Sequence, residues 1–243
     1  MAAIDACGFD PEQWNDEDVH GTLRALPMWL EWLVEGADPS LFDELRPYAV
    51  TVLRAREIAP DAGDERDNLH HAWHALDLAG RIRHRDTTPQ QGLVFQVNSS
   101  HGGVPKLPVG GTARIDWNGL VTDRQDDRHN HGRPWQAICL WSKEVIDSLA
   151  DEGHPIGPGS CGENITVTGL DWSKVSPGLR MRVGTSLLET TPYAIPCAKN
   201  AQWFTGGDFR RMTHDLYPGV SRIYARVIEP GAVAPGDVVA VLP

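Results

Sequence analysis

Three stretches of this chain hold side chains that could do chemistry. The first is Tyr193-Ala194-Ile195-Pro196-Cys197-Ala198-Lys199. A cysteine directly after a proline, at the end of an apolar-alternating run, is held on a fixed backbone. If solvent or a ligand reaches it, its thiolate is a candidate soft-metal ligand or persulfide carrier. If not, it is a small buried hydrophobe, as most free cysteines are. The second stretch is Ser99-Ser100-His101-Gly102-Gly103-Val104-Pro105-Lys106. Its glycines free backbone N–H groups to face an anion, and Lys106 adds a positive charge; the plain alternative is a hairpin loop. The third is Asp123-Arg124-Gln125-Asp126-Asp127-Arg128-His129-Asn130-His131-Gly132. It is dense in polar groups, and His129 and His131 alternate, so both could bind one metal from an extended chain. A solvated loop would look the same.

A further set lies nearer the N-terminus. His70, His74, Asp77, Arg81 and His84 recur at spacings of four, three, four and three, one stripe of a helix. His70 and His74 at i, i+4 can chelate a divalent ion if a third ligand comes from another helix, and His20 is the candidate. The alternative is a solvated charged face.

The elements that must position these groups fall into two regions. Residues 1–88 read as a small all-α region. Val19, Leu23, Leu26, Leu30 and Leu33 recur at helical spacing, with Pro27 as a kink, and further helices are expected over residues 41–45, 48–58 and 65–84. Asp86-Thr87-Thr88-Pro89 reads as the linker. From there to residue 243 the chain is mainly β. Strands are expected over residues 93–97, 112–117, 136–140, 164–167, 180–183, 186–191, 223–228 and 238–242, separated by Gly and Pro turns. One amphipathic helix, over residues 141–152, interrupts them, with Val145, Ile146 and Leu149 on its apolar side. Many short strands with one inserted helix predict a closed or nearly closed β-barrel.

Composition narrows the function. The chain has 243 residues and a formal net charge of −11, which argues against general nucleic-acid binding and against adhesion to anionic membranes. It has no apolar run of membrane-spanning length and no signal-peptide pattern at Met1-Ala2-Ala3-Ile4-Asp5. Cys7, Cys139, Cys161 and Cys197 are scattered without a CxxC pair, as expected of a cytoplasmic protein with neither a disulfide framework nor a zinc ribbon.

Taken in order, a series of short motifs resembles the MOSC domain, the module named after the C-terminal part of molybdenum-cofactor sulfurase. The pieces are Gly102-Gly103-Val104-Pro105-Lys106, Asp123-Arg124-Gln125-Asp126, His131-Gly132, Ala137-Ile138-Cys139-Leu140-Trp141-Ser142, Glu152-Gly153-His154-Pro155-Ile156 and Gly162-Glu163-Asn164-Ile165-Thr166-Val167. They continue through Ile195-Pro196-Cys197, Tyr224-Ala225-Arg226-Val227-Ile228-Glu229-Pro230-Gly231 and Gly236-Asp237. The resemblance implies a MOSC-type β-barrel over residues 89–243. It matches Cys197 to the family's cysteine, which ligates molybdenum or carries sulfur. Lys106, Asn164 and the polar loop with Asp123, Arg124 and His131 match positions expected near the molybdenum cofactor, a molybdopterin with a phosphate and a dithiolene-bound metal.

The activity implied is reduction of a small N-hydroxylated substrate, with electrons from an external donor protein, since no flavin or iron–sulfur motif is present. Cys161, beside Gly162, opens a second possibility: a two-sulfur site for sulfur transfer or carbon–sulfur bond cleavage, a sulfur relay that needs no pyridoxal phosphate. A non-catalytic carrier of cofactor or sulfur is a third. The block His70-His71-Ala72-Trp73-His74 with Ala79-Gly80-Arg81-Ile82 resembles the last helix of DinB-like bundles, which implies a divalent metal in the N-terminal region.

Overall fold

The structure is a computed structural model, and it describes residues 88–125, 131, 136–214 and 216–243. The helical region expected over residues 1–88, with His20, His70, His74 and Cys7, lies outside the described residues, as does His129.

Eleven strands and one α-helix are present among the described residues. The strands are β1 (Gln91–Ser99), β2 (Leu107–Pro108), β3 (Ala113–Asp116), β4 (Gly119–Leu120), β5 (Ile138–Ser142), β6 (Ile165–Thr168), β7 (Arg180–Val183), β8 (Ser186–Tyr193), β9 (Ile223–Glu229), β10 (Gly231–Val233) and β11 (Val238–Val241). Seven close a barrel in the order β11-β7-β8-β9-β5-β6-β1, with β1 pairing back onto β11. Closure leaves no unpaired edge in this ring. β2 extends the end of β1, and β10, β3 and β4 form a separate small sheet.

All the ring pairings are antiparallel except β5 with β6. Parallel neighbours need a crossover, and the helix α1 (Lys143–Asp151) begins that connection. Its start is fixed locally: Ser142 Oγ accepts from the amides of Glu144 and Val145. The helix therefore begins two residues later than expected at Trp141, which instead belongs to β5 and is fully buried. Its large ring is secured by Nε1 donating to Val220 O at 2.8 Å.

Register explains how the barrel serves a site. Ile223 pairs with Leu140, Leu140 with Ile165, and Ile165 with Val97; all four are 0% exposed. This apolar row fills the barrel. The adjacent residues Tyr224, Cys139, Asn164 and Asn98 form a second row on the opposite face of the same strands, because side chains alternate. A register shift in β1 between Val94 and Gln96, a β-bulge, keeps Val97 inward and turns Asn98 into the polar row.

Candidate functional site

The polar row is covered by two loops that touch backbone to backbone. Lys106 N donates to Gly159 O at 2.9 Å, linking the loop of residues 100–106 to that of residues 157–163. Gly159 has φ +83°, and a Cβ there would sit 2.2 Å from Lys106 O, so only glycine fits. Gly162, at φ +90°, is similar: its Cβ would lie 2.8 Å from Val104 Cγ1.

Beneath these loops Lys106, Asp123 and Asn164 meet. Asp123 Oδ2 accepts from Lys106 Nζ at 2.5 Å, Asn164 Nδ2 at 2.9 Å and Gln125 Nε2 at 3.3 Å, while Oδ1 accepts from Ser100 N at 2.8 Å. The Lys106 and Asp123 side chains are 9% and 1% exposed. The pair is buried and charge-neutral. Asn164 ties it to the barrel wall: its Oδ1 accepts from Cys139 N at 3.1 Å, and its backbone N donates to Cys139 O at 2.7 Å. Arg124 stands exposed, only its amide being tied down, to Ser100 O at 2.8 Å. His131 is half-buried.

The three cysteines among the described residues are not equivalent. Cys139 and Cys161 are buried and Cys197 is exposed. Burial pushes the Cys139 thiol up to about 11 and the Cys161 thiol up to about 12, against the opposing pull of Arg222. At neutral pH such a thiol stays protonated, so Cys161 is a poor nucleophile and a poor metal ligand. Cys197 follows β8, at the cap of a short 3-10 turn (Ala198–Trp203). The buried Asn200 amide lies 4.0 Å from its sulfur, and Asn200 N donates to Cys197 O at 2.9 Å. The thiol therefore stands on a fixed backbone and faces solvent. Cys161 lies within electrostatic reach of Cys197, as does Tyr224.

Four groups in this cluster were not among the site residues expected from sequence: Arg222, which no motif contains, and Tyr224, Glu163 and Cys139, which appear there only as parts of motifs. Arg222 is 6% exposed and donates through Nη1 to Cys161 O. Burial pushes the Tyr224 hydroxyl up, helped by Cys139. Glu163 is fully buried; its Oε1 accepts from Gly159 N at 2.5 Å and Thr166 Oγ1 at 3.2 Å, and burial pushes its carboxyl up. The signal available was the alternation Arg222-Ile223-Tyr224-Ala225-Arg226, a barrel strand with charges at apolar spacing. Among the described residues no group of three or more His, Cys, Asp or Glu is placed to hold a metal ion. No helix among them is long and apolar enough to cross a membrane.

Comparison with known proteins agrees with this geometry. The chain is 28% identical to the uncharacterized protein YflK of Bacillus subtilis (strain 168) over 147 residues, 60% of this chain and 66% of YflK. It is 27% identical to the protein YiiM of Escherichia coli (strain K12) over 135 residues, 54% of this chain and 59% of YiiM. The chain thus spans less than two thirds of either relative's length. The crystal structure of YiiM from Geobacillus stearothermophilus has the same fold, with a TM-score of 0.51 and 22% identity over 63% of this chain and 75% of that one. The MOSC domain family matches residues 127–240, a stretch that starts after β4 and leaves β1 as an upstream stave of the same barrel. This chain carries a MOSC domain over residues 127–240.

Proposed function

We propose that the chain is a MOSC enzyme in which Cys197 ligates the molybdenum of a molybdenum cofactor and a small N-hydroxylated substrate is reduced, with electrons from a separate donor protein. The observation that carries this is the exposure of Cys197 beside two buried, protonated thiols. The residues present fit such a group. One exposed soft donor suits a metal that arrives with its own sulfur ligands, and the buried Arg222 guanidinium, within electrostatic reach of the same Cys161 and Tyr224, suits an anionic cofactor. When bound, the cofactor supplies the two-electron chemistry. This chain's own residues position and shield. Pro196 and the Asn200–Cys197 contacts fix the sulfur. The Lys106–Asp123–Asn164 network locks the covering loops to β5.

A second reading uses the same thiol without molybdenum: sulfur transfer through a persulfide on Cys197, or cleavage of a carbon–sulfur bond. Its exposure supports this equally. The burial of Cys161 speaks for a single working sulfur in either case.

The test is metal content and turnover of protein made in a host that synthesises molybdenum cofactor. The first reading expects about one molybdenum per chain, lost in Cys197→Ser, and reduction of an N-hydroxylated base under a chemical reductant. Molybdenum-free protein that moves sulfane sulfur through Cys197 would select the second. Bound molybdenum without turnover would leave a carrier.

A further inference from the structure

Arg222 is a buried cation that the fold leaves almost unused. A guanidinium has five N–H donors. Arg222 uses one, Nη1 to Cys161 O, and its Nε is buried with no partner. No carboxylate among the described residues pairs with it. The groups that face it are Cys139, Cys161 and Tyr224, which burial keeps neutral, and the Glu163 carboxyl, whose Oε1 is committed to Gly159 and Thr166 and whose Oε2 is buried without a partner. Buried charges are ordinarily paired, because desolvation without a counter-charge is costly. The other buried cation of the cluster, Lys106, is already neutralised by Asp123. The cluster's positive charge without a direct ion-pair partner therefore sits on Arg222, which shares Cys161 and Tyr224 with Cys197 as neighbours within electrostatic reach.

Its placement is not accidental to the thiol. Ala194 N donates to Arg222 O at 2.8 Å, and Ser221 Oγ donates to Ala194 O at 3.2 Å. The backbone of Arg222 thus pins the strand end that delivers Cys197 three residues later. The unpartnered Nε lies on the edge with which arginine receives two oxygens of one anion.

We propose that Arg222 is the anchor for a small oxyanion, phosphate-like or sulfonate-like, on the molecule handled at Cys197. This rests on Cys197 being the working thiol. It makes the ligand class anionic, although the chain as a whole carries −11. The oxyanion belongs either to the substrate or to the cofactor's phosphate, and both present the same chemistry to Arg222.

The probe is inorganic phosphate against chloride at equal ionic strength, read as the rate of Cys197 alkylation by iodoacetamide and as Tm. Wild type should show saturable protection, roughly threefold or more, and a phosphate-dependent rise in Tm. Arg222→Gln should lose both, and Arg222→Lys, which keeps charge but not the fork, should lose most of the protection. A phosphate-dependent Tm rise only in cofactor-free protein assigns the oxyanion to the cofactor; a Tm rise in loaded protein as well assigns it to the substrate. Phosphate that acts no more than chloride on wild type overturns the proposal, whether or not the variants fold. So does a folded Arg222→Gln that keeps the Tm rise. In Cys197→Ser the Tm rise should persist, which separates this test from that of the thiol: an active Cys197→Ser protein would end the thiol reading while leaving the phosphate effect to be judged by itself.

Discussion

Replacing Asp123 by Asn should destabilise this protein far more than a one-atom change suggests. Every group touching the Asp123 carboxylate is a donor: Ser100 N, Lys106 Nζ, Asn164 Nδ2 and Gln125 Nε2. An amide offers one acceptor oxygen and turns an NH2 toward donors. The change also leaves the Lys106 ammonium, 9% exposed, without its counter-charge. Breaking a buried pair from one side costs about 3–5 kcal/mol. For a protein of this size that is roughly 6–20 °C in Tm. The assay is urea unfolding at neutral pH, comparing Asp123→Asn, Lys106→Met and the double variant. The double variant should recover about 1–3 kcal/mol relative to the sum of the singles, because it removes the stranded charge along with its partner. Raising the salt should change the single-variant penalty little, since a buried pair is weakly screened. An Asp123→Asn cost below about 1 kcal/mol, with additive singles, would mean that the pair is not the electrostatic unit described. Lys106 would then be free to meet an anion, and Arg222 would lose its distinction.

Alkaline pH offers a second check. The folded thiols of Cys139 and Cys161 lie near 11 and 12 against an ordinary 9.0, so the native state holds more protons above pH 9. Their contribution is intact below pH 9 and is lost as pH climbs toward 11, at about 1 kcal/mol per thiol by pH 10. Cys139→Ala/Cys161→Ala should flatten urea midpoints between pH 8.5 and 10.5, about the range set by these groups; an unchanged slope refutes the assignment. Among the glycines, Gly159→Ala should cost most, since its Cβ meets a backbone oxygen at 2.2 Å, and Gly162→Ala less, since Val104 can yield. Gly111→Ala, at φ +79° in open space, should cost only the backbone strain of about 1–2 kcal/mol. Thermal melts that rank these three otherwise would contradict the loop contact. A fragment of residues 89–243 should melt cooperatively, because β1 closes the ring onto β6 and β11; a non-cooperative melt would move the boundary. Cys197→Ser should leave Tm within about 2 °C of wild type, as expected for an exposed side chain, and lower activity by orders of magnitude.

Much of the barrel was legible because its staves alternate or run apolar between Gly and Pro turns. The expected run over residues 180–183 and β7 coincide, and the others differ from their strands by at most two residues at either end. The exceptions have physical reasons. β2, β4 and β10 are two or three residues long, too short for a period to register. Trp141 continues the apolar pattern of β5 into what looks like the helix, and only Ser142 as cap separates them. The 3-10 turns between Ala198 and Met212 carry neither helical nor strand spacing. In the candidate site, Pro196 and the motif order single out Cys197 in the sequence, and the structure leaves it exposed. The pairing of Lys106 with Asp123 was not: each looks like a free loop charge, and only the fold brings them to 2.5 Å. Arg222 was hidden by the same kind of distance, its partner Cys161 being 61 residues away in sequence.

The barrel and the site are two faces of one set of strands. The row Ile223, Leu140, Ile165 and Val97 is fully buried and apolar, so it fixes the register of β9, β5, β6 and β1. A slip of one residue would exchange it with Tyr224, Cys139, Asn164 and Asn98 and drive four polar or ionisable groups into the core. The hydrophobic pattern that stabilises the fold thus also holds the polar row in place. Two features then give that row its chemistry. The β1 bulge lets Asn98 join it without displacing Val97. The parallel β5–β6 pair, which requires a long crossover through α1, supplies the loop of residues 157–163 that carries Cys161 and Glu163 over the row. Cys139 and Arg222 are buried, Arg222 held by that loop through Cys161 O, while Cys197, just after the end of β8, is exposed. A buried, underused cation in the same cluster as one accessible thiol is the combination that the proposed anionic ligand at Cys197 would require.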